Sequence, residues 1–159
     1  NLLELLINKL EQEDVIVAHR GREITFDESW IANYQKFQIP SSKSSYLNIG
    51  TGKNGIPYRL GSFPTNVEDF IGPVLAPPAD DIWCKWVTSL YCIPTTILEP
   101  KAAYDPSLDF AETDSSDKNG LFHKYNTKGS NDKAITNLEL YFSIRRGENI
   151  FSLFGKGGN

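Results

Sequence analysis

A largely apolar stretch, Ile82 to Leu98, runs between an acidic pair, Asp80-Asp81, and the string Glu99-Pro100-Lys101. Any fold must bury it, and the way it does so decides what the surrounding charges can do. Ile82, Trp83, Trp86, Leu90 and Ile93 suit one face of a helix capped by Asp80 or Asp81, while a buried strand fits as well. Paired strands could bring acids from both ends to one point. A helix leaves Asp80 and Asp81 as caps only.

The rest of the chain frames that choice. With 159 residues, 40% apolar and 12% aromatic, it fits one domain, residues 1–159, with a ring-rich core. No apolar run approaches a bilayer-spanning length, so no membrane role is expected. Methionine is absent even from position 1, which suggests a processed chain or an excised domain. Cys84 and Cys92 are too few for a disulfide framework or a four-cysteine zinc site. Read as core thiols they make the cytoplasm the default compartment, with a secreted protein carrying one bridge as the alternative.

The net charge of −4 argues against binding nucleic acid through a coat of lysines. Charge is uneven, however. Glu99 to Asp117 holds six acids and one base, and Lys118 to Asn159 holds seven bases and three acids. An anionic ligand could use that basic C-terminal segment, whose plainer reading is a solvated loop and hairpin.

Hydrophobic spacing predicts the elements. Leu3, Leu6, Ile7 and Leu10 predict an amphipathic helix over residues 2–12. Val15 to Ala18 and Ile24 to Phe26 predict strands joined by a turn at His19-Arg20-Gly21-Arg22. Asp27 caps an expected helix with Trp30, Ile31, Tyr34 and Phe37 on one face, stopped by Pro40. Tyr46–Ile49 and Ile56–Leu60 form an expected hairpin around Asn54-Gly55. Thr65 and Glu68 fit a capping box, and Thr95 to Glu99 a strand. Residues 105–133 read as a long polar loop. Leu138, Leu140, Phe142 and Ile144 alternate before Arg145-Arg146-Gly147-Glu148-Asn149, which predicts a C-terminal hairpin returning through Ile150 to Phe154. Residues 155–159 are an expected flexible tail.

Four groups of residues carry types that could serve chemistry. Asp81, Glu99 and Lys101 could serve metal-dependent phosphodiester cleavage, where carboxylates hold Mg²⁺ and a lysine orients water; caps and strand-end charges are the plain alternative. The loop Gly50-Thr51-Gly52-Lys53-Asn54-Gly55 lacks the glycine spacing and the Ser or Thr of a phosphate-binding loop, so a turn is expected. Cys84 or Cys92 with His123 has no orienting third residue for a nucleophilic thiol. Ser115, Asp117, Asn119 and Gly120 echo a calcium loop, but Asn126 stands where its glutamate would be.

The Asp, then Glu-x-Lys order over residues 80–101 resembles the PD-(D/E)xK nuclease superfamily. That resemblance implies Asp81 and Glu99 as metal ligands and Lys101 as the residue that orients the water. Pro100 replaces the usual apolar residue between acid and lysine, and Ala79 the usual proline ahead of the acids.

The expected architecture is α+β, a mostly antiparallel, hairpin-built sheet with two or three helices on one side. The expected function is non-catalytic binding of a protein or other macromolecular partner through loop 105–133 and the C-terminal hairpin, with Lys124, Lys128, Arg145 and Arg146 as contacts and no cofactor. The alternative is the Mg²⁺-dependent nuclease, acting on nucleic acid.

Overall fold

In a computed structural model, residues 1–28, 30–41, 43–63, 71–108 and 129–155 are described. They form a mixed α and β structure. The helices are α1 (Leu2–Gln12), the single turn α2 (Gly72–Leu75), α3 (Asp80–Leu90) and α4 (Ser130–Arg146). Four three-residue strands accompany them: β1 (Ile16–Ala18), β2 (Gly21–Glu23), β3 (Asn48–Gly50) and β4 (Thr95–Ile97).

The hairpin-built sheet is not what these strands make. β1 pairs parallel with β4, Val17 opposite Thr96, and β2 pairs antiparallel with β3, Arg22 opposite Ile49. The two ladders touch where Ser45 bridges Thr95 and where the Asn48 amide donates to the Thr95 carbonyl at 3.1 Å. β2 begins at Gly21, inside the expected turn, because only a residue without Cβ fits there: an added Cβ would lie 2.4 Å from the Ile49 carbonyl oxygen. β3 takes β2 as its partner, so the expected hairpin with residues 56–60 does not form. Gly52–Asn54 instead close a 3₁₀ turn, followed by Gly55 at φ 81°.

The ambiguous stretch is a helix as far as Leu90. Its inward residues Ile82, Trp86, Val87 and Leu90 enter the main core, and Thr95 begins β4. The helix expected after Asp27 shrinks to a turn at Tyr34–Lys36, because a Phe26–Ile31 bridge closes the chain on itself first. Ile31, Tyr34 and Phe37 are nevertheless core residues.

The expected C-terminal hairpin is a correction too. Residues 130–146 are one helix, and Gly147 is its left-handed terminator at φ 74° rather than a hairpin turn. Ala134, Ile135, Leu138 and Phe142 point inward, while Leu140 and Ile144 face outward at 51% and 86% exposure. A helix places residues 134, 138 and 142 on one face, which a strand beginning at 138 would not require. Beyond it, Phe151–Gly155 form a π-turn whose Phe151 ring packs 5.9 Å from Phe26 and 5.7 Å from Trp30.

Two apolar clusters hold the structure together. The larger joins α3, α4, β3 and the 31–37 segment around Trp86, Phe142, Leu138 and Ile150. The smaller sets Leu6 and Leu10 of α1 against Val15 and Val17, with Leu98 at its edge. No helix among the described residues is long and apolar enough to cross a membrane.

Candidate functional site

The first turn of α3 sets the position of Asp81. Its Oδ1 accepts from the Ile82 N–H at 2.9 Å and its Oδ2 from the Gly52 N–H at 3.4 Å, which ties the 3₁₀ turn to the helix start. Burial, followed by the neighbouring Asp80 charge, raises the Asp81 carboxyl above the usual range, against the pull of those two N–H groups. Glu99 follows β4, with its N–H donating to the His19 carbonyl at 2.8 Å. Lys101 is exposed in the 3₁₀ turn Pro100–Ala103. Glu99 and Lys101 therefore do not sit two apart on a strand, where their side chains would share a face. Among the described residues, no three His, Cys, Asp or Glu side chains gather as metal ligands.

One turn beyond Asp81 lies Lys85, which sequence reading passed over. It is almost wholly buried, and its Nζ donates to Thr95 Oγ1 at 3.3 Å. Burial alone pushes its amine down to about 7. Asp81 and Lys85 border the same cavity of about 10 Å³, lined also by Ile16, Gly50, Ile56 and Tyr58 together with Thr88 and Thr95. This is room for one water-sized molecule. The available signal was a lysine between Cys84 and Trp86, inside the inward arc of an apolar helix. The Cys84 thiol is itself raised to about 11, chiefly by burial, and Tyr58 is raised by burial and by its hydrogen bond to Cys84. A thiol held that high is a poor nucleophile near neutral pH.

A second buried charge, Glu139, holds the C-terminal turn in place. Its carboxylate accepts from Trp86 Nε1 at 2.7 Å, from the Ile150 N–H at 2.9 Å and from the Phe151 N–H at 3.0 Å. Burial raises this carboxyl and those three donors oppose the shift.

A different surface follows the outer side of α4. Val74, Leu75, Pro77, Lys133, Ala134 and Asn137 line an open groove of about 580 Å³ between α2 and α4. Residues 133, 137, 140 and 144 lie on one helical stripe, so the exposed Leu140 and Ile144 continue, beyond the groove, the helix face that borders it. Arg145 and Arg146 end the helix, and the Arg146 guanidinium lies 4.7 Å from the centre of the Tyr91 ring. The expected contacts Arg145 and Arg146 are thus at a helix terminus, whereas Lys124, Lys128, His123, the calcium-like string 115–126 and the Thr65/Glu68 box lie outside the described residues.

Comparison with known proteins adds no identity: no family model, no curated protein and no solved structure matches the chain.

Proposed function

We propose that this protein is a non-catalytic interaction module that binds an amphipathic segment of a partner protein along α4. The observation that carries the reading is the stripe of Lys133, Asn137, Leu140 and Ile144, which joins the 580 Å³ groove to two exposed aliphatic side chains. The stretch from Lys133 to Arg146 spans roughly 20 Å, the length of a four-turn peptide helix. Lys133 at one end and Arg145 and Arg146 at the other favour a partner with an apolar face and acidic flanks. Such a role needs no cofactor.

The test is cross-linking in extracts of the native source, followed by affinity measurement with the segment identified. Ile144→Glu and the double variant Lys133→Glu/Arg146→Glu should each weaken binding at least tenfold, about 1.4 kcal/mol. Leu60→Glu, on an exposed loop residue away from this stripe, should leave it unchanged. Equal affinity in Ile144→Glu and the wild type would refute the reading.

A further inference from the structure

We propose that Arg22, held by the rings of Tyr34 and Tyr104, is a binding site for a carboxylate, which it takes through the open edge of its guanidinium. The guanidinium carbon lies 5.1 Å from the centre of the Tyr34 ring and 5.0 Å from that of Tyr104. Both rings are themselves fixed. The Tyr34 N–H donates to Asp132 at 2.7 Å, and its ring packs 5.2 Å from that of Phe37. The Tyr104 hydroxyl donates to the Phe37 carbonyl at 2.7 Å.

Aromatic rings engage the flat face of a guanidinium, while its N–H groups point outward in the plane. Those donors stay open here. Among the described residues, no hydrogen bond or ion pair uses the Arg22 side chain, and its partners are the two rings. Two acids that could answer its charge are engaged elsewhere. Glu23, the next residue of β2, points to the other face of the strand and accepts from the Ser41 N–H at 3.1 Å. Asp81, whose charge reaches the Tyr34 hydroxyl, already accepts from the Ile82 and Gly52 N–H groups. Neither tyrosine supplies a counter-charge, because burial raises both hydroxyls above their ordinary value. Arg20, whose charge also reaches Tyr34, adds attraction for an anion but has contacts of its own.

The edge selects the ligand by shape and charge. Two parallel N–H bonds fit two oxygens in one plane, which is the geometry of a carboxylate. A phosphate ester offers two oxygens as well, but its other substituents rise out of that plane toward the rings. One guanidinium also balances one carboxylate charge, and leaves a phosphate dianion half-balanced. Because the rings already restrict the side chain, binding gives up little further rotamer freedom. Arg22 is partly exposed and Tyr104 is 40% exposed, so a ligand reaches the site from solvent.

The full chain, labelled with ¹⁵N, is titrated at constant ionic strength with sodium acetate, N-acetylglutamate amide, inorganic phosphate and sodium chloride. The Arg22 Nε–H resonance and the backbone amides of β2 are read. A saturable shift with acetate is expected, its midpoint on the order of tens of millimolar, as one charge-assisted pair supplies. Arg22→Lys keeps the charge but loses the fork, and should weaken binding about tenfold at the β2 amides. Tyr104→Leu should weaken it several-fold. Tighter binding of the glutamate amide than of acetate assigns the carboxylate to a peptide side chain, and equal binding assigns it to a free organic acid. Phosphate binding tighter than either carboxylate would overturn the proposal, as would unchanged affinity in Arg22→Lys. Shifts that grow linearly, and equally with chloride, would overturn it too. The wild-type titration decides the matter even if a variant fails to fold.

Discussion

Lys85 makes the stability of the protein depend on pH in a direction opposite to that of its buried acids. The amine titrates near 10.5 when solvated and near 7 in the fold. Between those values the unfolded chain holds the extra proton, so stability rises with pH across this window and levels off below it. Asp81 and Glu139 are raised by burial, so each contributes stability that grows as pH falls through its raised value. Lys85→Met keeps the length of the side chain and removes the buried amine. It should stabilise the protein near neutral pH and flatten the slope between about 7 and 10.5 in urea titrations. An unaltered slope would show that Lys85 is solvated in the folded state. Glu139 is the contrasting case, because three N–H groups depend on it. Glu139→Ala leaves them buried without an acceptor and should cost about 3 kcal/mol or more. Glu139→Gln keeps one oxygen acceptor and should cost less by thermal melts. In the sequence Lys85 was marked only by its place in the inward arc of an apolar helix, and Glu139 not at all, since a Glu in a stretch read as an alternating strand has the same spelling whether it faces water or the core.

At the level of elements, legibility depended on whether neighbouring signals agreed. α1 begins where Asn1 can cap it, and the Leu3 N–H does bond the Asn1 side chain at 3.0 Å. β1 and β4 matched their β-branched patterns, and of the two readings left open for residues 82–93 the structure forms the helix. α4 failed for a definite reason. Leu138, Leu140, Phe142 and Ile144 satisfy period 2, and the first turn of the helix, Ser130 to Lys133, is polar enough to pass for loop. Asp132 belongs to the structure all the same, accepting from the Tyr34 N–H at 2.7 Å. β2 was misplaced and β3 was given the wrong partner, because their pairing depends on glycine close approach across a long connection, which leaves no local hydrophobic signature. Paired substitutions separate the two descriptions of residues 138–144. Leu138→Glu should destabilise by several kcal/mol, and Leu140→Glu by less than about 0.5 kcal/mol, in denaturant unfolding. A strand would place both on one face and penalise them alike. Gly147→Ala, at a left-handed backbone position, should cost about 1 kcal/mol by the same measurement.

For the whole molecule, the division of the interior into two clusters predicts unequal stability along the chain. α3 and α4 share the large cluster and are joined through Trp86 and Glu139. α1 has only Leu6 and Leu10 fully inside, packed on Val15 and Val17, while Leu3 and Leu5 on its outer side face solvent. Its C-terminal end is secured by Arg59, whose guanidinium donates to the Leu10 and Glu13 carbonyls. β1 has a separate anchor, its parallel ladder with β4, which also borders the Lys85 cavity through Ile16 and Thr95. α1 can therefore come away without breaking the large cluster or the β1–β4 ladder, and the entropy it regains offsets a small buried area. Native-state hydrogen exchange should find amides of α1 exchanging through a partial opening several kcal/mol below the global transition that governs α3 and α4. Leu6→Ala should lower protection in α1 further while leaving α4 amides unchanged at low denaturant, whereas Leu138→Ala should lower protection everywhere. If α1 and α4 amides converge on one opening free energy without denaturant, the two clusters unfold as one unit. Loss of α1 packing would then strip support from β1 and the Lys85 cavity at the same time.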